Sequence, residues 1–385
     1  MTFRWAFAIG LLLIPGGLVA WGADADLGLH LKTLQAVGPQ GAGHREAAQA
    51  ARAAAQAAPA QLPQILAAMD GANPIALNWL AGVAEAVAQR APGPKAVPVQ
   101  QLESFLADTK HSPRGRRLAY ELIANVDQTA ESRLIPKLLN DPSLELRRDA
   151  VALALANAAK AEAKEDQVVS YRAALRAARD QDQIKTASDA IKKLGGTVDL
   201  PLHYGFLQTW KIIGPFDNID DKGWDVAYPP EETIDLKAKY AGQKGEVGWI
   251  ETTTSDESGI VDLTKVLDKH KGAIAYAYAE FISDKDQEVE FRFATWNANK
   301  LWLNGELLTA NHIYHANMPF DQYVGRGTLR KGKNSILLKI AQNEQTEMWA
   351  QTWSFHLRVC DAVGTAVLSQ DRPSATSAAV PRTVR

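Results

Sequence analysis

From Asp26 to about Leu194, apolar residues recur every third or fourth position among alanine, leucine, arginine and glutamine, the pattern of amphipathic helices. "HREAAQAARAAAQAAP" predicts one helix stopped by Pro59. Three later segments vary one unit: "LPQILAAMDGANPIALNWLAGVAEAV", "QLESFLADTKHSPRGRRLAYELIANV" and "RLIPKLLNDPSLELRRDAVALALANA". In each, a first helix runs to Asp70, Asp108 or Asp141. A turn with Pro74, Pro113 or Pro142 follows, and a second helix carries Ala81, Ala119 or Ala150. The alanines lie 38 and 31 positions apart, a helical-repeat period with an irregular spacer. Small alanines let helices cross closely, and an Asp before the proline turn can cap the next helix. "EDQVVSYRAALRAARDQDQIKTASDAIKKLGG" continues as a helix pair, with Gly195 and Gly196 as its stop.

After Gly196 the period falls to two. "TWKIIGPF", "GEVGWIETT", "GAIAYAYAEFIS", "EVEFRFATW", "KLWLNGELL", "NSILLKIAQ" and "WSFHLRV" are short, aromatic and β-branched, with turn residues between. Seven or eight such strands make an antiparallel β-sandwich of jelly-roll type. The predicted fold is therefore α then β. Helices fill 26–196, a linker 197–203, the sandwich 204–370, and a disordered tail 371–385. Asn304-Gly305 between apolar runs predicts a two-residue hairpin turn. It pairs Trp302 with Leu307 on one face, and Leu301 with Leu308 and Leu303 with Glu306 on the other. On this reading Trp302 packs in or over the sandwich; the alternative is a platform on which a ligand stacks.

The N-terminus changes the picture of compartment. Arg4, an apolar core from Trp5 to Val19, and small Ala23 and Ala25 form a signal-peptide pattern over 1–25. The run is interrupted by Pro15, Gly16 and Gly17 and is short for a membrane span. The expectation is an exported protein of periplasm or envelope, with no membrane span after cleavage. Cys360 is the single cysteine, so no intrachain disulfide and no cysteine-rich zinc site can form. A net charge of −2 gives no basic field for nucleic acid.

"LLNDPSLELRRDAVALAL" resembles the HEAT-repeat pattern through Leu138, Leu139, Asp141-Pro142, Arg147 and Ala150. The second unit keeps Arg116 and Ala119; the first has Asn78 where the arginine stands. The resemblance implies an α-solenoid that docks a protein partner. "WKIIGPF", "LWLNGELL" and "LRKGKNSILLKI" resemble galactose-binding-like jelly rolls, including sugar-binding domains attached to glycoside hydrolases. The whole order, with "IGPFDN" and "QNEQ", is similar to a set of exported proteins of planctomycete-type bacteria that join these parts. That resemblance implies architecture and compartment and lends no activity.

Sugar recognition needs an apolar face for C–H groups and planar amides for hydroxyls. Three loop segments offer that mixture. "ATWNANKLW" holds Trp296, Asn297 and Asn299. "HIYHANMPFDQY" holds His312, Tyr314, His315, Asp321, Gln322 and Tyr323. "QNEQTEMWAQTW" holds Asn343, Gln345 and Trp349. The competing reading makes the amides turn residues and the aromatics core. His312 and His315, three apart in strand or loop, point to opposite faces and do not make a metal pair. Asp217, Asp220 and Asp221 in "DNIDDKGWD" could hold a structural calcium or simply make turns. No other cofactor is expected. Arg114, Arg116, Arg117, Arg147 and Arg148 recur at repeat positions, either as a basic docking stripe or as partners for neighbouring helix ends and carboxylates. No G-x-S-x-G, H-E-x-x-H or phosphate loop is present. Glu280, Glu290 and Glu344 are the acids a glycoside hydrolase could use. The expected function is non-catalytic, with a sandwich that binds a glycan or envelope component. The alternatives are a carbohydrate-active hydrolase and a purely structural envelope protein.

Overall fold

The computed structural model describes residues 23–372. The segments read as signal peptide, up to residue 22, and as tail, from residue 373, lie outside the described residues. The chain forms two compact units that divide after Lys160.

The first unit is helical: α1 (Ala23–Gln35), α2 (His44–Ala54), α3 (Leu62–Ala67), α4 (Pro74–Gln89), α5 (Val99–Ala107), α6 (Pro113–Ala124), α7 (Ala130–Leu134) and α8 (Leu144–Lys160). Neighbours pack in pairs, α1 on α2, α3 on α4, α5 on α6, and α4 packs on both α2 and α6. The pairs share one core that includes Leu34, Leu62, Ile65, Leu80, Leu102, Ile123 and Leu146. Neither helix of a pair could bury its apolar face alone. Ala119 and Ala150 are buried in it, while Ala81 is only half-buried and Leu80 and Ala84 face inward instead.

The proline turns start helices as expected, but with different caps. Asn73 and Ser112, not the preceding aspartates, occupy the cap positions of α4 and α6. Asn73 Oδ1 accepts from the backbone N–H groups of Ile75 and Ala76, both at 3.0 Å. Asp70 reaches to the next pair instead, accepting from Ser112 N at 2.6 Å and meeting His111 Nδ1 at 2.8 Å. A cap must sit one residue before the first helical one; Asp70 lies three residues before Asn73 and is free to bridge.

The second unit opens with α9 (Lys164–Ala177) and α10 (Gln181–Lys193). Gly195, at φ 84°, ends α10, and Gly196 N donates to Ile191 O at 2.9 Å, the helix-closing bond that a left-handed residue permits. The predicted linker contains a one-turn helix, α11 (Leu200–Tyr204), capped by Asp199. The rhythm therefore changes inside this unit. Arg179 Nη2 donates to Thr365 Oγ1 at 2.8 Å and Lys192 pairs with Glu257 at 2.8 Å, tying the helix pair to the β part.

The β part runs β1 (Thr209–Asp217), α12 (Pro229–Glu232), β2 (Lys239–Gly242), β3 (Gly245–Gly248), β4 (Ile250–Thr253), β5 (Val261–Asp262), α13 (Leu263–Val266), β6 (Ala273–Ser283), β7 (Gln287–Thr295), β8 (Ala298–Leu303), β9 (Glu306–Asn311), β10 (Tyr323–Leu329), β11 (Gly332–Gln342) and β12 (Ser354–Cys360). Two antiparallel sheets form, ordered β4-β1-β6-β11-β8-β9 and β10-β7-β12-β5, with β2-β3 as a separate ribbon. Between the sheets lie Phe281, Ile336, Leu338 and Ile340 from one and Phe291, Phe293, Phe355 and Leu357 from the other. Each such side chain, fully buried, contributes about 1.5–3 kcal/mol. The outer face of the larger sheet is also covered. Tyr276, Tyr278 and Leu337 pack under Trp224, Tyr228, Tyr240 and Trp249 from the 218–249 strap. "AYAYAEF" alternates between two buried faces, alanine inward and tyrosine under the strap, rather than between core and water.

The Asn304-Gly305 turn has φ of 52° and 83°, as a type I′ turn requires. Trp302 pairs with Leu307 and Leu303 with Glu306, but a register shift pairs Leu301 with Thr309. The predicted Leu301–Leu308 pair is displaced because Leu308 packs against Gly325 and Gly327 of β10. Trp302 lies against the outer cluster. β10 escapes sequence reading because those two glycines depress its strand propensity. A Cβ on Gly327 would meet Leu303 Cδ2 at 2.8 Å.

Candidate functional site

Three loops far apart in sequence meet at one end of the larger sheet: 217–225 after β1, 312–315 after β9, and 343–349 after β11. Buried Asn218 is the pin. Its backbone N–H donates to Gly272 O at 2.7 Å, and its Nδ2 to Gln342 O at 3.2 Å and Tyr314 Oη at 3.1 Å. Gly272 N in turn donates to Asn343 O at 3.0 Å. Asp220 and Asp221 take left-handed backbone, φ 53° and 61°, which Asp tolerates better than most residues. That turn aims the Asp221 carboxylate at two partners: Tyr314 donates its hydroxyl at 2.5 Å and His312 Nε2 lies 2.8 Å away. Burial, then the carboxylate, pushes the Tyr314 hydroxyl far up from its ordinary range.

His312 stacks flat on Trp224, 4.4 Å between centroids, and Lys300 Nζ sits 4.5 Å from the same indole. Asp220 N donates to Glu344 Oε2 at 3.0 Å. His315 Nε2 meets Asn343 Oδ1 at 3.0 Å and presents its ring to Trp349 at 4.8 Å, edge-on. Asn343 Nδ2 donates to Gln345 Oε1 at 3.0 Å. Around this fixed framework Trp349 is 56% exposed, Met348 90% and Ile313 53%. The arrangement is a hydrogen-bonded rim of amide, imidazole and carboxylate groups with an exposed tryptophan among them.

Of the residues named from sequence, His312, Tyr314, Asn343, Gln345 and Trp349 come together here, joined by Asp220 and Asp221. Asn299, Asp321 and Gln322 are spent on framework bonds instead, and Tyr323 packs against the core between the sheets. Asp321 is a brace for the smaller sheet: Arg358 grips it at 2.7 and 2.6 Å and Arg292 at 3.0 Å. Burial alone would raise its carboxyl; the two guanidinium groups outweigh that and hold it below its ordinary value. Gln322 accepts from Thr295 N at 3.0 Å, and Asn299 accepts from Asn311 Nδ2 at 2.9 Å. Asn297 is buried and neither of its amide atoms has a partner. Trp296 is half-buried.

Asp217, Asp220 and Asp221 do not share a cage. Asp217 caps its own turn, Asp220 pairs with Lys222 at 2.7 Å, and Asp221 is taken by Tyr314 and His312. Among the described residues, no group of three or more His, Cys, Asp or Glu stands close enough to hold a metal ion. Glu280 is bound by Lys333 and Tyr278, and Glu290 by Arg292 and Arg326.

The five arginines named from sequence differ in their surroundings. Arg116 is buried, bidentate to Asp141 at 2.7 and 2.6 Å, with Nε donating to Leu106 O at 2.7 Å. Arg147, also buried, donates to Asp141 O at 2.7 Å and Asn140 O at 3.0 Å. Arg117 pairs with Glu121 and Asp149, and Arg114 with Asn78. Arg148 also has an interaction partner. A helix end must satisfy its last carbonyls, and the buried guanidinium groups of Arg116 and Arg147 do so across the turns, while Arg114 and Arg148 are exposed.

Sequence reading missed Lys339. It is fully buried under the strap, and its three N–H donors are used by Val226 O at 2.8 Å, Glu231 Oε1 at 2.8 Å and Trp224 O at 3.1 Å. Tyr276 donates to the same carboxylate oxygen. Burial lowers the Lys339 ammonium below its ordinary value, with Glu231 acting the other way. A lone lysine in "ILLKIA" was the available signal.

The chain is thus a helical unit followed by a second unit built around an antiparallel β-sandwich with a loop-built polar and aromatic end. No family model matches it, and no curated protein matches it in sequence. Among solved structures it is similar to a β-glucosidase from Kluyveromyces marxianus, at 14% identity and TM-score 0.27, over 45% of this chain and 22% of that one. It is also similar to an uncultured Clostridium sp. β-glucuronidase, at 12% identity and TM-score 0.19, over 41% of this chain and 29% of that one. The chain thus spans well under a third of the length of those proteins, and likenesses of this size assign it no activity. Among the described residues no helix is long and apolar enough to cross a membrane.

Proposed function

We propose that this is an exported, non-catalytic binding protein: the sandwich holds a glycan or another hydroxyl-rich envelope component, and the helical unit docks a protein. The observation that carries the reading is the convergence of three remote loops on Asn218. It gathers His315, Asn343, Gln345 and Glu344 into one bonded set, and His315 of that set packs on exposed Trp349. Saccharide recognition needs that pair of features, a flat apolar surface and pre-positioned amide and carboxylate groups. Glu280 and Glu290 are engaged by cations away from this end, so the reading gives neither a catalytic role.

The test is a glycan array with the full chain, followed by calorimetric titration of the hits against wild type, Trp349→Ala and His315→Ala. Binding weakened at least tenfold by Trp349→Ala, at unchanged melting temperature, supports the proposal. Flat responses throughout, or binding indifferent to both substitutions, overturn it. Release of reducing ends from a bound glycan overturns its non-catalytic part.

A further inference from the structure

The helical unit carries an apolar groove of about 700 Å³ between α2 and α4. Its floor is small: Ala51 and Ala55 on one side, Gly82 and Ala86 on the other, with Ile75 and Trp79 as the larger wall. Gly82 is the informative position. It sits inside α4, where glycine costs about 1 kcal/mol against alanine. Nothing lies within 4 Å of where its Cβ would be, so packing inside this chain does not demand it. The groove is left open along a line from Ile75 to Ala86, roughly 16 Å at helical rise, or about three turns.

Cations predominate around it, with exposed Glu85 of α4 the acid next to Ala86 in the chain. Arg52 lines the wall. Arg90 donates to Ala55 O at 2.5 Å at one margin and Arg114 to Asn78 Oδ1 at 2.7 Å at another; Ala55 and Asn78 both line the groove. No Asp or Glu lines it. A second copy presenting the same face would set arginines against arginines across a two-fold axis, so self-association does not suit this surface.

We propose that the α2–α4 groove docks an acidic amphipathic helix of a partner protein. Large aliphatic side chains at i, i+3 or i+4 and i+7 fill the space above the alanines and Gly82, and carboxylates flanking them meet Arg52, Arg90 and Arg114. This deepens the docking role given to the helical unit and is independent of the saccharide site on the other unit.

The probe is a labelled 18-residue peptide with leucines at i, i+3, i+4, i+7 and i+11 and glutamate at most other positions. Two controls accompany it, a scrambled order and a version with lysine for glutamate. Fluorescence anisotropy with the full chain is expected to show binding of the acidic helix at least tenfold tighter than either control. In Gly82→Leu the added Cβ meets no neighbour within 4 Å and helix propensity rises, so the variant is expected to fold and to weaken binding at least tenfold. Arg52→Glu is the second variant and is expected to reverse the preference between the glutamate and lysine peptides. The proposal falls if the acidic helix fails to bind, if it binds no better than the scrambled peptide, or if Gly82→Leu leaves binding unchanged. It also falls if the free protein is a dimer dispersed by Gly82→Leu, or if laurate occupies the groove where the peptide does not. Loss of peptide binding with saccharide titration intact, or the converse, shows which of the two sites was misread.

Discussion

His356 sits on the outer face of the smaller sheet, 6% exposed, with Phe206 at 5.0 Å and Phe320 at 6.2 Å and no partner for either ring nitrogen. Burial pushes its imidazole down to about 4; Asp321, Arg358 and Asp256 act on it more weakly. The unfolded chain takes up the proton near pH 6.5 while the folded one refuses it. Stability is therefore whole above the unfolded value and is lost as pH falls through the window from 6.5 to about 4. Linkage between those two values gives a loss of about 2 kcal/mol at pH 5, and next to none at pH 7. His356→Leu keeps the volume, removes the titration, and relieves two unpaired nitrogens, so at pH 7 the variant should be at least as stable as wild type. His203, lowered to about 4 chiefly by burial and then by Arg179 and Arg358, remains in both chains and cancels in the difference. Urea titrations at pH 7, 6 and 5, followed by tryptophan fluorescence, report mainly on the β part, which holds seven of the ten tryptophans, buried Trp210 and Trp353 among them. Wild type should lose about 2 kcal/mol more than His356→Leu between pH 7 and 5. Equal losses in the two proteins, within about 0.5 kcal/mol, would refute the argument.

Arg116→Ala strands the buried Asp141 carboxylate and should cost about 3–5 kcal/mol, whereas Arg116→Met with Asp141→Leu should recover most of it in thermal melts. Asn304→Ala removes the side-chain bonds to Asn334 and Ser335 and keeps a left-handed φ that alanine resists, costing about 2–3 kcal/mol; Asn304→Gly, which accepts that φ, should cost less. Gly327→Ala drives a methyl into Leu303 and should destabilise the sandwich by about 1–3 kcal/mol, read as a lowered denaturation midpoint.

What the chain determined by itself is local. The change of hydrophobic period after Gly196, the left-handed stop at Gly195, the type I′ turn at Asn304-Gly305 and the proline-led starts of α4 and α6 each depend on backbone preferences within a few residues, and those are written in residue type. For that reason helices followed by strands could be read off, along with most strand positions. The tertiary structure decided everything that joins distant segments. Asn218 lies about a hundred residues or more before Tyr314 and Asn343, and the three meet because β1, β9 and β11 finish at one end of one sheet. The same composition put Asp321 and Asn299 into the framework instead, because their strands deliver them to Arg358 and Asn311. Lys339 was taken under the strap, Gly325 and Gly327 belong to a strand because Leu303 and Leu308 need their space, and the α9–α10 pair went with the sandwich through Arg179 and Lys192. Contact energy between remote residues depends on which surfaces the fold brings within a few ångströms, and a one-dimensional pattern carries no record of that.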